Sequence, residues 1–498
     1  MEWVIEDGFF LVGDGQWARQ VEVEGAGRIA AVRDVSAPYP GAERISLRGG
    51  FAVPGLWDSH VHLDHLAEEH ELWLVKPEAS LSEVQASLRQ FAAAHPDLPW
   101  IRGSGWNQNY WQEIPHRRQL DAVSGGRPVA FWARDHHTLW LNTAAMHALG
   151  VSDFRGSGAD RDEDGPTGLF REETAEKVSR GIPSRPPDAR AMRAAAAELA
   201  SDGFVGVTAM ERITSLEALS DWGEDYGLRL QVFWIDADGR QADPGSVRDD
   251  YPGWFRTLGV KLFSDGALGT RTAWMRHDYD DQPGQGIPRL HGDELRDRLR
   301  QLAGYRWAAA IHAIGDAAVG DVWRALLEVP SGGSALSRIE HAQLVDPHDL
   351  STLSGTGLAA SMQPFHLPGD VPALSRGLGD RPTLAFPWSA LERAGFAVTF
   401  GSDAPIVPAD PVPALEVAVR GAGYRGDAER GLSPYRALMA YSRGAARADR
   451  RPGGFVAPGH PADLTVFRED PLAALQEGRR PVVMGTVVGG RIRYWSDD

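Results

Sequence analysis

FAVPGLWDSHVHLDH, residues 51–65, runs from an apolar segment through Gly55 into His60, His62 and His65, with Asp58 and Asp64 among them. Side chains on an extended segment repeat every two residues, so His60 and His62 share a face and can grip one ion. A lone His-x-His says little, and its meaning depends on partners elsewhere in the chain. An apolar run that ends in polar residues is the form of a barrel strand whose C-terminal end carries chemistry. The same form recurs downstream in VGVTAMER (205–212), LRLQVFWID (228–236), TLGVKLFSDG (257–266), AAAIHAIGD (308–316), SRIEHAQLV (337–345), GLAASMQP (357–364) and LERAGFAVTFGSD (391–403). Helix-like stretches such as DARAMRAAAAELASDG (188–203) and DELRDRLRQLAGYRW (293–307) separate them. Strands alternating with helices argue for βα units on a parallel sheet, and eight strand candidates suggest an α/β fold, a (β/α)8 TIM barrel.

The ends of the chain read differently. WVIEDGFFLVG, ARQVEVEGAGRIAAV and ERISLRGGFAVPG near the start, and ADLTVF and PVVMGTVVGGRIRYW near the end, are short strands broken by glycine-rich turns. Neither end alone has residues for a comfortable core, and chain termini often lie close together, so both are expected to build one small β-sandwich. Residues 66–185 break the βα rhythm with a Trp-rich section, PWIRGSGWNQNYWQEIPHRR, a strand candidate, RPVAFWARD, and a Gly/Asp loop. They read as an insertion after the first barrel strand, forming a lid or pocket wall. The expected division is residues 1–52 and 453–498 for the sandwich, 53–65 and 186–452 for the barrel, and 66–185 for the insertion.

Composition excludes several function classes. The 498 residues carry 51 Lys and Arg against 68 Asp and Glu, a formal net charge of −17, which argues against a general nucleic-acid binder. There is no cysteine, so disulfides, thiolate zinc sites, iron–sulfur clusters and a cysteine nucleophile are excluded. Any metal must sit on His, Asp, Glu or a modified residue, which suits zinc, manganese or iron. The start, MEWVIEDGFFLVG, has no basic region of a secretory signal, and no apolar run is long enough for a membrane span. A cytoplasmic protein with no membrane partner is expected.

Partners for His60 and His62 then appear one per strand end. Lys261 lies inside an apolar strand beside Leu262 and Phe263, where a lysine is costly to bury unless its charge is paired or changed. His312, His341 and Asp403 each follow an apolar run. Singly, the histidines could be satisfied core residues, Asp403 a cap, and Lys261 an ion-pair partner of Asp265. Jointly, six such coincidences at strand ends are a poor account.

The order His-x-His, Lys, His, His, Asp resembles the binuclear metal site of the amidohydrolase superfamily. The phrases VPGLWDSHVHLD, VKLFSDGALGTRTA, IHAIGDAAV, IEHAQLV, FGSDAPI and APGHPADLTVF resemble its family 3 branch, which includes N-substituted formamide deformylases. The resemblance implies a distorted (β/α)8 barrel flanked by a small β-sandwich from both termini. It implies that His60 and His62 bind metal, that Lys261 reacts with carbon dioxide to give a bridging carbamate, and that His312 and His341 bind the second metal. Asp403 is then both ligand and proton shuttle. Two zinc ions, with manganese or iron as alternatives, would generate a bridging hydroxide that attacks a carbonyl carbon.

The expected activity is hydrolysis of a non-peptide amide or amide-like C–N bond in a small molecule. His137, in ARDHHTLWLNTAAM, matches a family histidine that faces the pocket, and Trp106, with Trp111 and Trp140, offers aromatic surface to a substrate, although core packing explains tryptophans as readily. His65 has no assigned role beyond the surface or a supporting position, and Arg271 could meet an anionic group or Asp265. A homo-oligomer is compatible with the reading. Two rivals remain. One is a single-metal deaminase-like hydrolase, for which a glutamate near the third histidine is expected and IHAIGD offers only Asp316. The other is a non-catalytic barrel scaffold, which should have lost one of the six ligand types.

Overall fold

The computed structural model describes residues 3–496 except 35–40, 77, 108–110, 112, 134–137, 184–186, 213–218, 220, 236–252, 334, 353–354, 356, 380 and 382–383. The chain divides into two compact units, Met1–Leu66 with Met192–Asp498, and Ala67–Ala191.

The first unit holds the barrel. Its strands are β1 (Leu56–Val61), β2 (Phe204–Arg212), β3 (Arg229–Ile235), β4 (Phe255–Phe263), β5 (Ala308–Ala313), β6 (Arg338–His341), β7 (Ala359–Met362) and β8 (Ala397–Phe400). They form one eight-stranded sheet in chain order, every pairing parallel. A parallel bridge between Val61 and Ala404 brings the last strand back to the first, with the Asp403 N–H donating to the His60 carbonyl at 2.7 Å and the His62 N–H to the Ala404 carbonyl at 2.9 Å. Register breaks between β1 and β2 and between β3 and β4 make the barrel a distorted one. The strands read as near-continuous apolar runs because both faces are covered, as parallel sheets require. In helix α1 (Asp316–Glu328) the buried residues Val319, Val322, Trp323 and Leu326 recur at helical spacing, and the Trp323 ring packs 5.4 Å from that of Phe396.

The sandwich is built from both chain ends, as expected. One sheet orders residues 28–33, 20–24, 3–6 and 43–46; the other orders 491–495, 483–488, 464–467, 51–54, 9–13 and 16–18. The C-terminal strand 464–467 pairs antiparallel with 51–54, and Ile5, Phe10, Val21, Leu464, Val466 and Val487 share one core. The apolar run at 51–62 is therefore split. Phe51–Pro54 belongs to the sandwich, and the barrel begins after Gly55, where a Cβ would meet the Val205 methyls at 2.5 Å.

The second unit has its own mixed sheet, ordered 159–162, 165–171, 138–141, 129–133, 101–106 and 73–74. Its helix Leu81–Ala94 starts at a capping box between Ser80 and Glu83 and buries Leu81, Val84, Leu88 and Ala92 against the sheet's core. Among the described residues no helix is long and apolar enough to cross a membrane.

Candidate metal centre at the barrel mouth

His60 lies on β1 and His62 just beyond its end, and the strand's alternation turns both rings the same way. The His62 Nδ1–H donates to the Met210 carbonyl at 3.0 Å, and His60 Nδ1 meets the Glu340 carboxylate at 2.6 Å. Each ring's Nε2 is thereby left as a lone-pair donor, and both face Asp403 Oδ1, at 3.4 Å from His60 and 3.2 Å from His62. Ligand atoms of His60, His62 and Asp403 all lie within 4.8 Å of one another, close enough for one ion.

The other two histidines complete the cluster. The His312 Nε2–H donates to the Gly266 carbonyl at 3.0 Å, and the His341 Nδ1–H to Gln363 Oε1 at 2.8 Å. Their ring centroids are 4.6 Å apart, and that of His341 is 5.0 Å from that of His60. In all four rings one nitrogen is tied to an acceptor, the arrangement that fixes a metal-binding tautomer. Burial first, and the Lys261 charge second, lower the His60 pKa to about 4 and that of His312 to about 3, so both stay neutral at pH 7. Burial and the neighbouring His312 and Lys261 push His341 well down too. Burial favours the acid form of Asp403, but the surrounding histidines, His60 first, outweigh it and hold the group well below the usual carboxylate range. Neutral imidazoles and an ionised carboxylate are the forms that bind metal.

Lys261 stands in the same centre on β4, 1 % exposed, and its Nζ has no hydrogen-bond partner among the described residues. Burial lowers its pKa to about 8, partly opposed by Glu340 and Asp403. An unsatisfied buried ammonium is costly, and an anionic group made from that amine would suit a metal instead. The donor set therefore fits a divalent metal.

The supporting groups were not legible in the sequence reading. Arg338 on β6, wholly buried, donates to Glu340 Oε1 at 2.6 Å, to Asp449 Oδ1 at 2.9 Å and to the Ser59 carbonyl at 2.6 Å, so Glu340 carries an ion pair on one oxygen and His60 on the other. Asp58 binds the His60 N–H and the Ser402 N–H, each at 3.0 Å, and the Ser402 hydroxyl at 2.6 Å, tying β1 to the loop after β8. His341 and Asp403 hold left-handed backbone, φ 74° and 63°, which costs a non-glycine residue about 1–3 kcal/mol and aims both side chains away from the regular strand direction. Two charged residues at alternate positions in RIEH were the available signal, of the same kind that singled out Lys261.

The other residues singled out in the sequence have surroundings of their own. Trp106 is 1 % exposed in the core of the second unit; its Nε1–H donates to the Phe131 carbonyl at 3.0 Å, and it packs on Trp111 and Trp140, which is the packing alternative. His137 lies outside the described residues. Arg271 pairs with Asp281, while Asp265 accepts backbone N–H groups of Trp274, Ile314 and Gly315. The His65 ring stacks on that of His62 at 5.4 Å.

Nearly the whole chain is similar to known proteins. Residues 43–494 match the amidohydrolase family. The chain is 29 % identical to a putative amidohydrolase, YtcJ, of Bacillus subtilis (strain 168), over 97 % of this chain and 95 % of that protein. It is 26 % identical to the N-substituted formamide deformylase of Arthrobacter pascens, over 96 % and 95 % of the two chains. The crystal structure of an uncharacterized metal-dependent hydrolase from Pyrococcus furiosus superposes with a TM-score of 0.78 at 26 % identity, covering 94 % of this chain and 99 % of that one.

Proposed function

The chain belongs to the amidohydrolase family, and from that premise we propose that it hydrolyses a non-peptide amide or amide-like C–N bond of a small molecule. In this reading His60, His62, His312, His341, Asp403 and a carboxylated Lys261 hold two divalent ions, zinc first, with manganese or iron as alternatives. The observation that carries it is the set of four imidazoles, each with one nitrogen committed to an acceptor and the other left as a donor in one cluster with an ionised aspartate.

A divalent ion bound there supplies Lewis acidity, lowering the pKa of a water toward neutrality and polarising a carbonyl. Asp403 takes the proton that the attacking water loses and returns it to the leaving nitrogen. A C–O bond forms, the C–N bond breaks, and the water's proton ends on the amine. The neutral amine of Lys261 adds to carbon dioxide; an N–C bond forms, one proton leaves, and the carbamate replaces a stranded cation with anionic oxygens.

The deaminase-like alternative expects a glutamate near the third histidine, His312, and the acid there is Asp316, whose Oδ1 accepts the Arg276 N–H at 2.9 Å. The relative from Arthrobacter pascens supports placing N-substituted amides among the first substrates to try. The test is amine release from N-substituted formamides, acyl amino acids, carbamates and cyclic amides. Turnover abolished by a chelator and restored by zinc, manganese or iron is expected. Metal-loaded protein inert to all four classes would overturn the proposal.

A further inference from the structure

The loop after β7 supplies two residues to the centre. Gln363 accepts the His341 Nδ1–H, and three residues on, His366 opens helix α2 (His366–Leu378). The His366 side chain is 90 % buried by its 10 % exposure, and its Nε2 is shielded from solvent without a hydrogen-bond partner among the described residues. That nitrogen lies 3.9 Å from Asp403 Oδ2, while Asp403 Oδ1 is the oxygen turned to His60 and His62. The His366 ring is nearly parallel to that of His341 and 6.5 Å from it. The cluster thus has two sides: Oδ1 with the ligand histidines, and Oδ2 with His366.

A gap of 3.9 Å is too long for a hydrogen bond but fits one polar atom reaching both groups, at about 2.9 Å from each. Leaving a buried ring nitrogen unsatisfied is costly, and a substrate atom would remove that cost. Asp370, one turn along the same face of α2, also acts on the ring. With the ring proton on Nδ1, Nε2 offers its lone pair as an acceptor.

We propose that His366 is a substrate-contacting residue whose Nε2 accepts the N–H of the scissile amide, so that the site selects secondary amides over N,N-disubstituted amides and esters. The inference rests on the hydrolase reading above, because it is the leaving nitrogen that meets Asp403 Oδ2. As the C–N bond breaks, that nitrogen keeps its own hydrogen on His366 and receives the new proton from Asp403. His366 moves no proton; it holds the nitrogen with its emerging lone pair toward Asp403.

Formanilide, N-methylformanilide and phenyl formate form a matched set that differs at this atom alone. With wild type, His366→Ala and His366→Gln, kcat and KM on each substrate and metal content are measured together. Wild type should prefer formanilide to N-methylformanilide by about 10- to 100-fold, since N-methylation leaves the buried acceptor unsatisfied. His366→Ala should lose that preference through kcat/KM on formanilide alone, with metal content unchanged. His366→Gln, whose Oε1 can accept, should recover part of it. Equal losses on all three substrates, or loss of metal, would overturn the assignment. If wild type turns over none of them, the hydrolase reading loses this support, and calorimetric titration of the first two compounds into metal-loaded wild type and His366→Ala still decides His366. Tighter binding of formanilide in wild type alone supports the contact; equal heats, or none, refute it.

Discussion

Glu340 illustrates how the centre depends on residues that touch no substrate. Its carboxylate lies between the His60 imidazole and the Arg338 guanidinium, all three wholly or almost wholly buried. Burial opposes its charge, but Arg338 and His60 hold its pKa far below the ordinary value. Replacing it with glutamine keeps the volume, weakens the acceptor for His60 Nδ1–H and leaves Arg338 with Asp449 as its remaining carboxylate. Loss of such an outer partner weakens metal binding by about 10- to 100-fold, so Glu340→Gln should retain its fold by circular dichroism and need correspondingly more zinc for half-saturation. Unchanged affinity would show that His60 needs no such anchor. At this scale the proposed ligands were legible because each lies within or just after an apolar run, whereas Glu340 was hidden by the histidine beside it, His366 by its place beyond a strand end, and Asp58 by its place inside a motif already explained.

At the scale of elements, the centre exists because β8 closes against β1. Gly401 sits where that happens: a Cβ there would meet the His60 backbone nitrogen at 2.5 Å and Asp58 Oδ1 at 2.8 Å. Its backbone and an aspartate cannot give way cheaply, so Gly401→Ala should push the two strands apart. Both thermal stability and metal content should fall, measured by melting and elemental analysis on the same preparation; a variant matching wild type in both would refute the closure argument. The order of barrel strands was readable, since strands and helices alternate and polar residues gather at one end. The boundary at 51–55 was not, because a short apolar run carries no mark of which sheet it joins, and register does. The sheet of the second unit was also hidden, its strands being short and mixed in direction.

For the whole molecule, the acidic balance of the sequence has a local counterpart in Asp202. Burial, with Asp410 and Glu198 nearby, raises its pKa to about 7. An acid whose folded pKa exceeds its unfolded value holds more protons when folded, so stability contributed by its protonated form is lost as pH rises from about 4 to about 7. Asp202→Asn should therefore raise the melting temperature at pH 8 more than at pH 4; an equal shift at both would show that the group does not titrate with folding. The two-ended sandwich was legible because neither terminus could bury a core alone.

The central claim is that Lys261 is a metal ligand rather than a stranded cation, and metal counting tests it most directly. Protein purified without chelator, as wild type and as Lys261→Ala, is analysed for zinc, manganese and iron. A bridged two-ion site predicts about two equivalents in wild type and a clear loss in the variant. One equivalent that the substitution leaves unchanged would contradict it.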